Sequence, residues 1–202
     1  MKKKKLRKEN GFNLEKQYKD SWSYIKESKD FIYSIVAIFF VFVFIGLLVP
    51  IPESISKIII EYIQELIEKT KNMSSLELTR FIFWNNLQNS FFGMILGIFF
   101  GVFPVLIAIV NGYVLGFVSL VTIQNESVWS LWRLLPHGIF ELTAVFIALG
   151  LGLRLSSFIL QRKNNMKFLW KNLVSSIKVL LLVIIPLLAL AAVVEGVFIF
   201  LF

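Results

Sequence analysis

Cysteine is absent from this 202-residue sequence, and histidine occurs once, at His137. The absence of cysteine excludes disulfide bonds, thiol catalysis and zinc sites built on cysteine. A single histidine also excludes a histidine-rich metal site, and we expect neither a metal nor a cofactor. Polar residues are scarce too, since 57% of the residues are hydrophobic and 21 of them are phenylalanine. A soluble domain of this size cannot hide so much apolar surface, whereas a lipid bilayer can accommodate it.

The net charge of +8 is concentrated in two segments that flank apolar runs. Residues 1–30 hold ten Lys or Arg and five Asp or Glu, and residues 154–178 hold six Lys or Arg and no acidic residue. Basic segments in such positions are typical of cytoplasmic loops that face anionic lipid headgroups. We therefore expect contact with the lipid bilayer and no binding of nucleic acid.

The apolar runs are long enough to cross a membrane as helices, which takes about 20 residues. We predict an all-α fold, a polytopic transmembrane helix bundle with five spans and amphipathic surface helices. The first span is expected to be retained rather than cleaved as a signal sequence. A turn near residues 101–104 is expected to separate the second span from the third. The predicted spans are residues 31–49, 85–102, 104–123, 134–155 and 178–202.

The number of spans decides on which side of the membrane the two basic segments lie. With five spans, the N-terminus and the loop 154–178 share one side, as the positive-inside rule requires. With four spans they would lie on opposite sides. We therefore predict a multi-pass protein of the plasma membrane, with a cytoplasmic N-terminus and an extracytoplasmic C-terminus.

Two segments outside the spans show helical amphipathicity. The basic segment 1–30 is expected to rest on the inner leaflet through one apolar stripe, formed by Leu14, Tyr18, Trp22 and Ile25. In the outer segment 50–84, the apolar stripe is Ile55, Ile59, Tyr62 and Leu66, and the opposite charged stripe is Lys57, Glu61, Glu65 and Glu68. This outer helix is expected either to pack on the membrane or bundle, or to dock a partner.

Several polar side chains fall inside the predicted spans, where a buried charge rarely persists without a partner or a function. We expect them to form a cluster in the outer half of the bundle, made of Asn85, Asn86, Asn89, Asn111, His137, Glu141 and Glu195. Three hypotheses stay open: hydrogen bonds that fix helix register, a proton or ion pathway, and a catalytic site. Arg154, at the end of the fourth span, is expected to snorkel to headgroups.

Glycines recur at four-residue intervals within the spans, a spacing that places them on one helix face and permits close helix packing. The predicted helix-packing glycines are Gly93, Gly97, Gly101, Gly112, Gly116 and Gly138.

Three stretches of the sequence resemble one family of membrane proteins. They are Leu135-Pro136-His137-Gly138-Ile139-Phe140-Glu141 followed by Gly150-Leu151-Gly152, Asn85-Asn86 followed by Asn111-Gly112 and Gly116, and Ala191-Ala192-Val193-Val194-Glu195. Over about residues 30–202 the chain resembles the stage II sporulation protein M family. The resemblance implies a five-helix membrane protein. In endospore-forming bacteria it implies a scaffold that anchors cell-wall hydrolases during engulfment, while relatives occur in organisms that do not sporulate.

Three functions are compatible with these features. The leading hypothesis is a non-enzymatic membrane scaffold or accessory protein that anchors a membrane-associated complex involved in remodelling the cell envelope. The alternatives are a small transporter or permease-like subunit that uses the intramembrane His, Glu and Asn residues, and an intramembrane enzyme. The expected partners are the lipid bilayer and membrane or extracytoplasmic proteins, with a second copy of the chain as a further candidate.

Overall fold

The computed structural model describes residues 13–49, 53–161 and 165–201, with the backbone alone at 132–137 and 195–201. Within these ranges the chain is helical and forms no strand. The helices are α1 (Leu14–Glu27), α2 (Lys29–Leu48), α3 (Glu53–Thr70), α4 (Ser75–Ile95), α5 (Val102–Asn125), α6 (Leu135–Ser156), α7 (Asn165–Val179) and α8 (Ile185–Leu201). Short 3₁₀ segments lie at Leu96–Ile98, Val128–Leu134 and Ser157–Leu160. The predicted all-α fold class is confirmed.

Helices α2 and α5 pack along a seam of glycines. Gly112 lies against the backbone of Phe39, and Gly116 lies against the backbone of Val43. A Cβ atom at either glycine would collide with the neighbouring carbonyl group, so only glycine permits this approach. Because the paired residue numbers rise together on both helices, α2 and α5 run parallel.

A second glycine seam joins α4 and its 3₁₀ extension to α6. Gly97 lies against the backbone of Gly152, and a Cβ atom at Gly101 would stand 2.9 Å from the Ser156 hydroxyl. These paired numbers also rise together, so α4 and α6 are parallel. The ring centroids of Phe39 and Phe146 lie 5.0 Å apart. Gly150 packs against Ile32, and α6 is therefore antiparallel to α2.

The two seams fix the path of the chain through the bundle. Helix α2 ends at one end of the bundle, while the parallel helix α5 begins at the other end. The chain between them must cross the bundle once, and α4 with its 3₁₀ extension makes that crossing. This segment, Ser75 to Ile98, is roughly 36 Å long at ~1.5 Å per residue, which exceeds the ~30 Å thickness of a bilayer core.

The described residues contain four segments that are apolar and long enough to span a membrane. They are Lys29–Leu48, Val102–Asn125, Gly138–Leu160 and Asn165–Val194. Helix α4 is not one of them because its N-terminal part contains Glu77, Arg80, Asn85 and Asn86. The composition of the helices therefore supports four spans, and α4 crosses the bundle beside them as a less apolar helix.

The surface of these segments is apolar, as contact with lipid tails requires. Phe44 and Leu48 on α2 are 58% and 71% exposed, and Val110 on α5 is 57% exposed. Contiguous apolar exposure of this kind marks a membrane or protein contact. The chain is therefore a membrane protein.

Two local features shape the spans. Between α4 and α5, Phe100 and Gly101 both adopt left-handed backbone angles, with φ of 57° and 70°. This places the turn just before the predicted position at 101–104. Between α7 and α8, a π-helical turn at Leu180–Ile184 precedes Pro186. Proline has no backbone N–H, so the regular hydrogen-bond ladder is interrupted there.

One helix runs across the predicted boundary between the outer segment 50–84 and the second span. Ser75–Ile95 is continuous through residue 85, so the helix begins ten residues before the predicted span. A capping box starts it: the Ser74 hydroxyl accepts from the Glu77 backbone N–H, and the Ser74 N–H donates to the Glu77 carboxylate at 2.8 Å.

Each of the two surface helices has apolar residues at both packed and exposed positions. In α3, Ile55 and Tyr62 are exposed, whereas Ile59 is buried and Ile63 and Leu66 are half-buried. The apolar arc of α3 is therefore wider than the face that it packs inward. At α1 the buried face carries Ser21, Tyr24 and the C-cap residue Ser28, while Leu14, Tyr18 and Trp22 are exposed, which is compatible with the predicted stripe on the inner leaflet. Three-to-four spacing alone did not distinguish a packed face from a lipid-facing one.

Candidate functional site

The two glycine seams leave a gap between α5 and α6. One seam draws α5 to α2 and the other draws α6 to α4, so α5 and α6 touch each other far less than either touches its seam partner. The gap forms a cavity of about 670 Å³, with α2 and α4 as its remaining walls. Leu131, in the 3₁₀ segment Val128–Leu134, lies at its α5–α6 loop end.

Polar side chains from three helices line this cavity. Helix α4 supplies Asn86 and Asn89, helix α5 supplies Asn111, and helix α6 supplies Glu141 and Thr143. Four of the residues that we predicted as an intramembrane polar cluster therefore meet at one cavity, although they lie far apart in the sequence. The carboxyl and amide groups give this cavity a polar lining within the spans.

Two of these polar groups also bond to their own helix. The Asn111 side-chain amide donates to the Ile107 carbonyl at 2.8 Å, and the Thr143 hydroxyl donates to the Ile139 carbonyl at 2.5 Å. Such bonds hold each side chain in one rotamer and satisfy one donor. The Asn111 carbonyl oxygen and its second N–H can still engage a ligand, because an amide has two donors and one oxygen acceptor.

The remaining wall of the cavity is apolar and rigid. The rings of Phe39, Phe40 and Phe146 form an edge-to-face cluster with centroids 5.0 to 6.3 Å apart. Phe39 is almost fully buried, whereas Phe40 is 45% exposed. The aromatic wall therefore extends from the interior of the bundle to its apolar outer surface.

The other predicted cluster residues lie elsewhere. Asn85 is exposed on α4 and does not line the cavity. The side chains of His137 and Glu195 lie outside the described part of the structure, so their predicted place in the cluster stays a prediction. Among the residues that are described, no three His, Cys, Asp or Glu side chains come together as a metal site would require.

The predicted packing glycines divide into two kinds. Gly93, Gly97, Gly112 and Gly116 make close contacts across a helix seam, and Gly101 forms the left-handed turn. Gly138 differs, because a Cβ atom there would meet only a side-chain atom of Leu142, at 3.8 Å. Gly138 instead lines the cavity, where the missing side chain leaves space.

A second polar centre, which the sequence did not predict, joins α1 to the ends of α6 and α7. The Arg154 guanidinium donates to the Ser28 hydroxyl at 2.7 Å and lies 4.2 Å from the ring centroid of Tyr24. It also contacts the Glu27 carboxylate at 3.3 Å. The Arg154 side chain is only 14% exposed, so it anchors α1 instead of snorkelling to headgroups.

Tyr24 completes this second centre. Its hydroxyl donates to the Asn172 side-chain oxygen at 3.0 Å and lies 3.3 Å from the Ser176 hydroxyl. Burial raises the pKa of Tyr24, although the Ser176 hydrogen bond and the Arg154 charge act in the opposite direction. The spacing of Ser21, Tyr24 and Ser28 on α1 was the available sequence signal for this docked face.

Comparison with known proteins tests the family resemblance directly. No curated protein and no solved structure matches the chain. The predicted family is confirmed by a family match that covers most of the sequence and includes all four walls of the cavity. Residues 35–198 match the family described as Stage II sporulation protein M, and the chain therefore belongs to that family.

Proposed function

We propose that this protein is a five-span membrane scaffold that anchors a membrane-associated complex through α3. Its N-terminus would be cytoplasmic and its C-terminus extracytoplasmic, in the plasma membrane. The basic segments 1–30 and 154–178 support this orientation, because five crossings place both on the cytoplasmic side. The proposed role requires recruitment of partners and no catalysis.

The exposed apolar surface of α3 is the observation that carries the proposal. Ile55, Ile58 and Tyr62 form one exposed flank of the helix, and they are 45%, 65% and 55% exposed. Helix α3 makes few contacts with the rest of the bundle. A helix held beside the membrane with an unused apolar flank is suited to helix-in-groove recognition.

The acidic residues of α3 indicate which kind of partner surface it would bind. Next to the exposed apolar flank lie Glu61, Glu65 and Glu68, while α3 contains only two basic residues. We infer an extracytoplasmic protein domain with an apolar groove bordered by basic side chains. In a family that includes a sporulation protein, an enzyme or structural protein of the cell envelope fits this description.

Photocrosslinking from α3 tests the scaffold. A benzoylphenylalanine residue at Ile58 should form protein adducts in living cells, and Glu65→Lys should reduce their yield severalfold because the partner groove is basic. The matched control is the same crosslinker at Gln64, which is exposed on α3 outside the apolar flank and its acidic border, and it should form few protein adducts. Adducts from Ile58 that contain only lipid, or adducts that are unchanged by Glu65→Lys, would contradict the proposal.

The polar cavity supports a second candidate, a small transporter subunit. Asn86, Asn111 and Glu141 line a cavity within the spans instead of filling a dry interior, and polar groups placed there often mark substrate or ion pathways. Proteoliposomes that contain the purified protein should then show ion or solute flux that Glu141→Gln abolishes. Flux equal to that of protein-free vesicles rejects this candidate.

A further inference from the structure

The cavity between α5 and α6 has the dimensions of a small-ligand site. Its wall on α5 runs from Ile107 to Ser119, a rise of about 18 Å. The cavity holds about 670 Å³, within the range of about 300–1,000 Å³ that is typical of small-molecule pockets. Its volume is therefore suited to a single small molecule.

The cavity opens to the apolar outer surface of the bundle. Phe40 and Ile139 both line it, and they are 45% and 62% exposed. Both residues lie within membrane-spanning helices, so the ligand enters from the lipid phase. A molecule that uses this route must itself partition into a bilayer.

The polar lining selects the headgroup of that molecule. Asn89, Asn111 and Thr143 offer amide and hydroxyl groups, and Glu141 adds a carboxyl group. None of the described residues that line the cavity is Lys or Arg. Against these described residues a phosphate or carboxylate headgroup would be desolvated without a compensating cation, which is costly.

We propose that the cavity binds one membrane amphiphile that has an uncharged, hydroxyl-bearing polar group. The polar group hydrogen-bonds to Asn111 and Thr143, and the apolar tail lies along the wall formed by Phe39, Phe40 and Phe146. This site is separate from α3 and does not depend on the scaffold role. It also requires no transport, because a bound lipid can remain in place.

A photoreactive monoacylglycerol tests the site in proteoliposomes of phosphatidylcholine. The probe carries a diazirine in its acyl chain, and mass spectrometry locates its adducts on the full-length protein. We expect saturable labelling on the cavity segments 107–119 and 138–149. Unlabelled monooleoylglycerol should compete, whereas methyl oleate and the anionic lysophosphatidylglycerol should compete poorly.

The chain provides a matched pair of asparagines for this test. Asn111 and Asn125 both lie on α5 and both donate to the carbonyl four residues earlier, at 2.8 and 3.0 Å. Only Asn111 lines the cavity. Loss of one or two hydrogen bonds in Asn111→Leu should weaken probe binding by roughly 5- to 30-fold. Asn125→Leu should leave it unchanged.

A second variant keeps the proposal testable if Asn111→Leu fails to fold. Thr143 lines the cavity and is exposed, so Thr143→Trp should fill the space without disturbing the buried core and should abolish saturable labelling. Labelling that does not saturate, or that spreads evenly over every lipid-facing helix, indicates annular lipid only and overturns the proposal. Equal competition by methyl oleate or by lysophosphatidylglycerol overturns the proposed headgroup.

Discussion

At the scale of single residues, identical glycines have different physical roles. Gly116 lets two helix backbones touch, Gly101 turns the chain with a positive φ, and Gly138 borders a cavity. Their common four-residue spacing is compatible with all of these roles. The effect of adding one methyl group therefore depends on the surroundings of each position.

Alanine substitutions at these glycines should change the unfolding free energy in opposite directions. In Gly116→Ala the new methyl group would collide with the Val43 carbonyl, and we expect a loss of about 1–3 kcal/mol in unfolding free energy. In Gly138→Ala the methyl group makes only an ordinary contact with the Leu142 side chain, and helix propensity should add up to ~1 kcal/mol to the unfolding free energy. Unfolding by titration with SDS measures both. Equal destabilisation of the two variants would contradict the packing seam.

Arg154 offers a second test at this scale. A lysine at position 154 would keep the positive charge but would lose the planar guanidinium group and its stacking on the Tyr24 ring. We expect Arg154→Lys to weaken the docking of α1 by about 1.5–3 kcal/mol, seen as faster proteolysis within α1. The control Arg80→Lys, at an exposed site on α4, should change little. Similar proteolysis of both variants would favour simple snorkelling.

The sequence predicted some site residues and missed others for a physical reason. Asn86, Asn89, Asn111 and Glu141 were identifiable because polar groups within apolar runs are costly unless they are used. Their cavity was not predictable, because it arises from how two seams space the helices. The contact between Arg154 and Ser28 joins residues 126 positions apart, and no local pattern reports it.

At the scale of elements, local sequence patterns predict which segments form helices better than they predict which residues those helices contact. The apolar runs predicted the helices α2, α5, α6 and α8. The Ser74–Glu77 capping box was present in the sequence and marks the true start of α4. The predicted stripe of α3 contains both packed residues, Ile59 and Leu66, and exposed residues, Ile55 and Tyr62, because the apolar arc of this helix is broad.

The docking of α1 should weaken at alkaline pH. Burial raises the pKa of Tyr24 above its usual value of 10.0, so the neutral phenol contributes stability below pH 10. That contribution is lost as the pH rises through the folded-state pKa. The unfolding midpoint of the wild type should therefore fall above pH 10 more steeply than that of Tyr24→Phe. Parallel curves for the two proteins would contradict the buried phenol.

At the scale of the whole molecule, the number of apolar segments differs from the number of helices that cross the bundle. Composition identifies four apolar segments and does not include α4, whose N-terminal part is polar. In the helix packing α4 crosses the bundle, because α2 and α5 run parallel and the chain must return between them, and we propose that this crossing is a fifth membrane span. The same arrangement of seams creates the cavity. The topology is therefore the claim on which both the orientation and the proposed ligand site depend.

Cysteine accessibility tests this topology most directly, because the native chain has no cysteine and each introduced thiol is unique. Single cysteines would replace four exposed residues, Lys19, Gln161, Glu65 and Asn125, and would be labelled with a membrane-impermeant maleimide. A crossing by α4 predicts that positions 19 and 161 label from one side of the membrane, and that positions 65 and 125 label from the other. Labelling of position 161 from the same side as position 65 would contradict it.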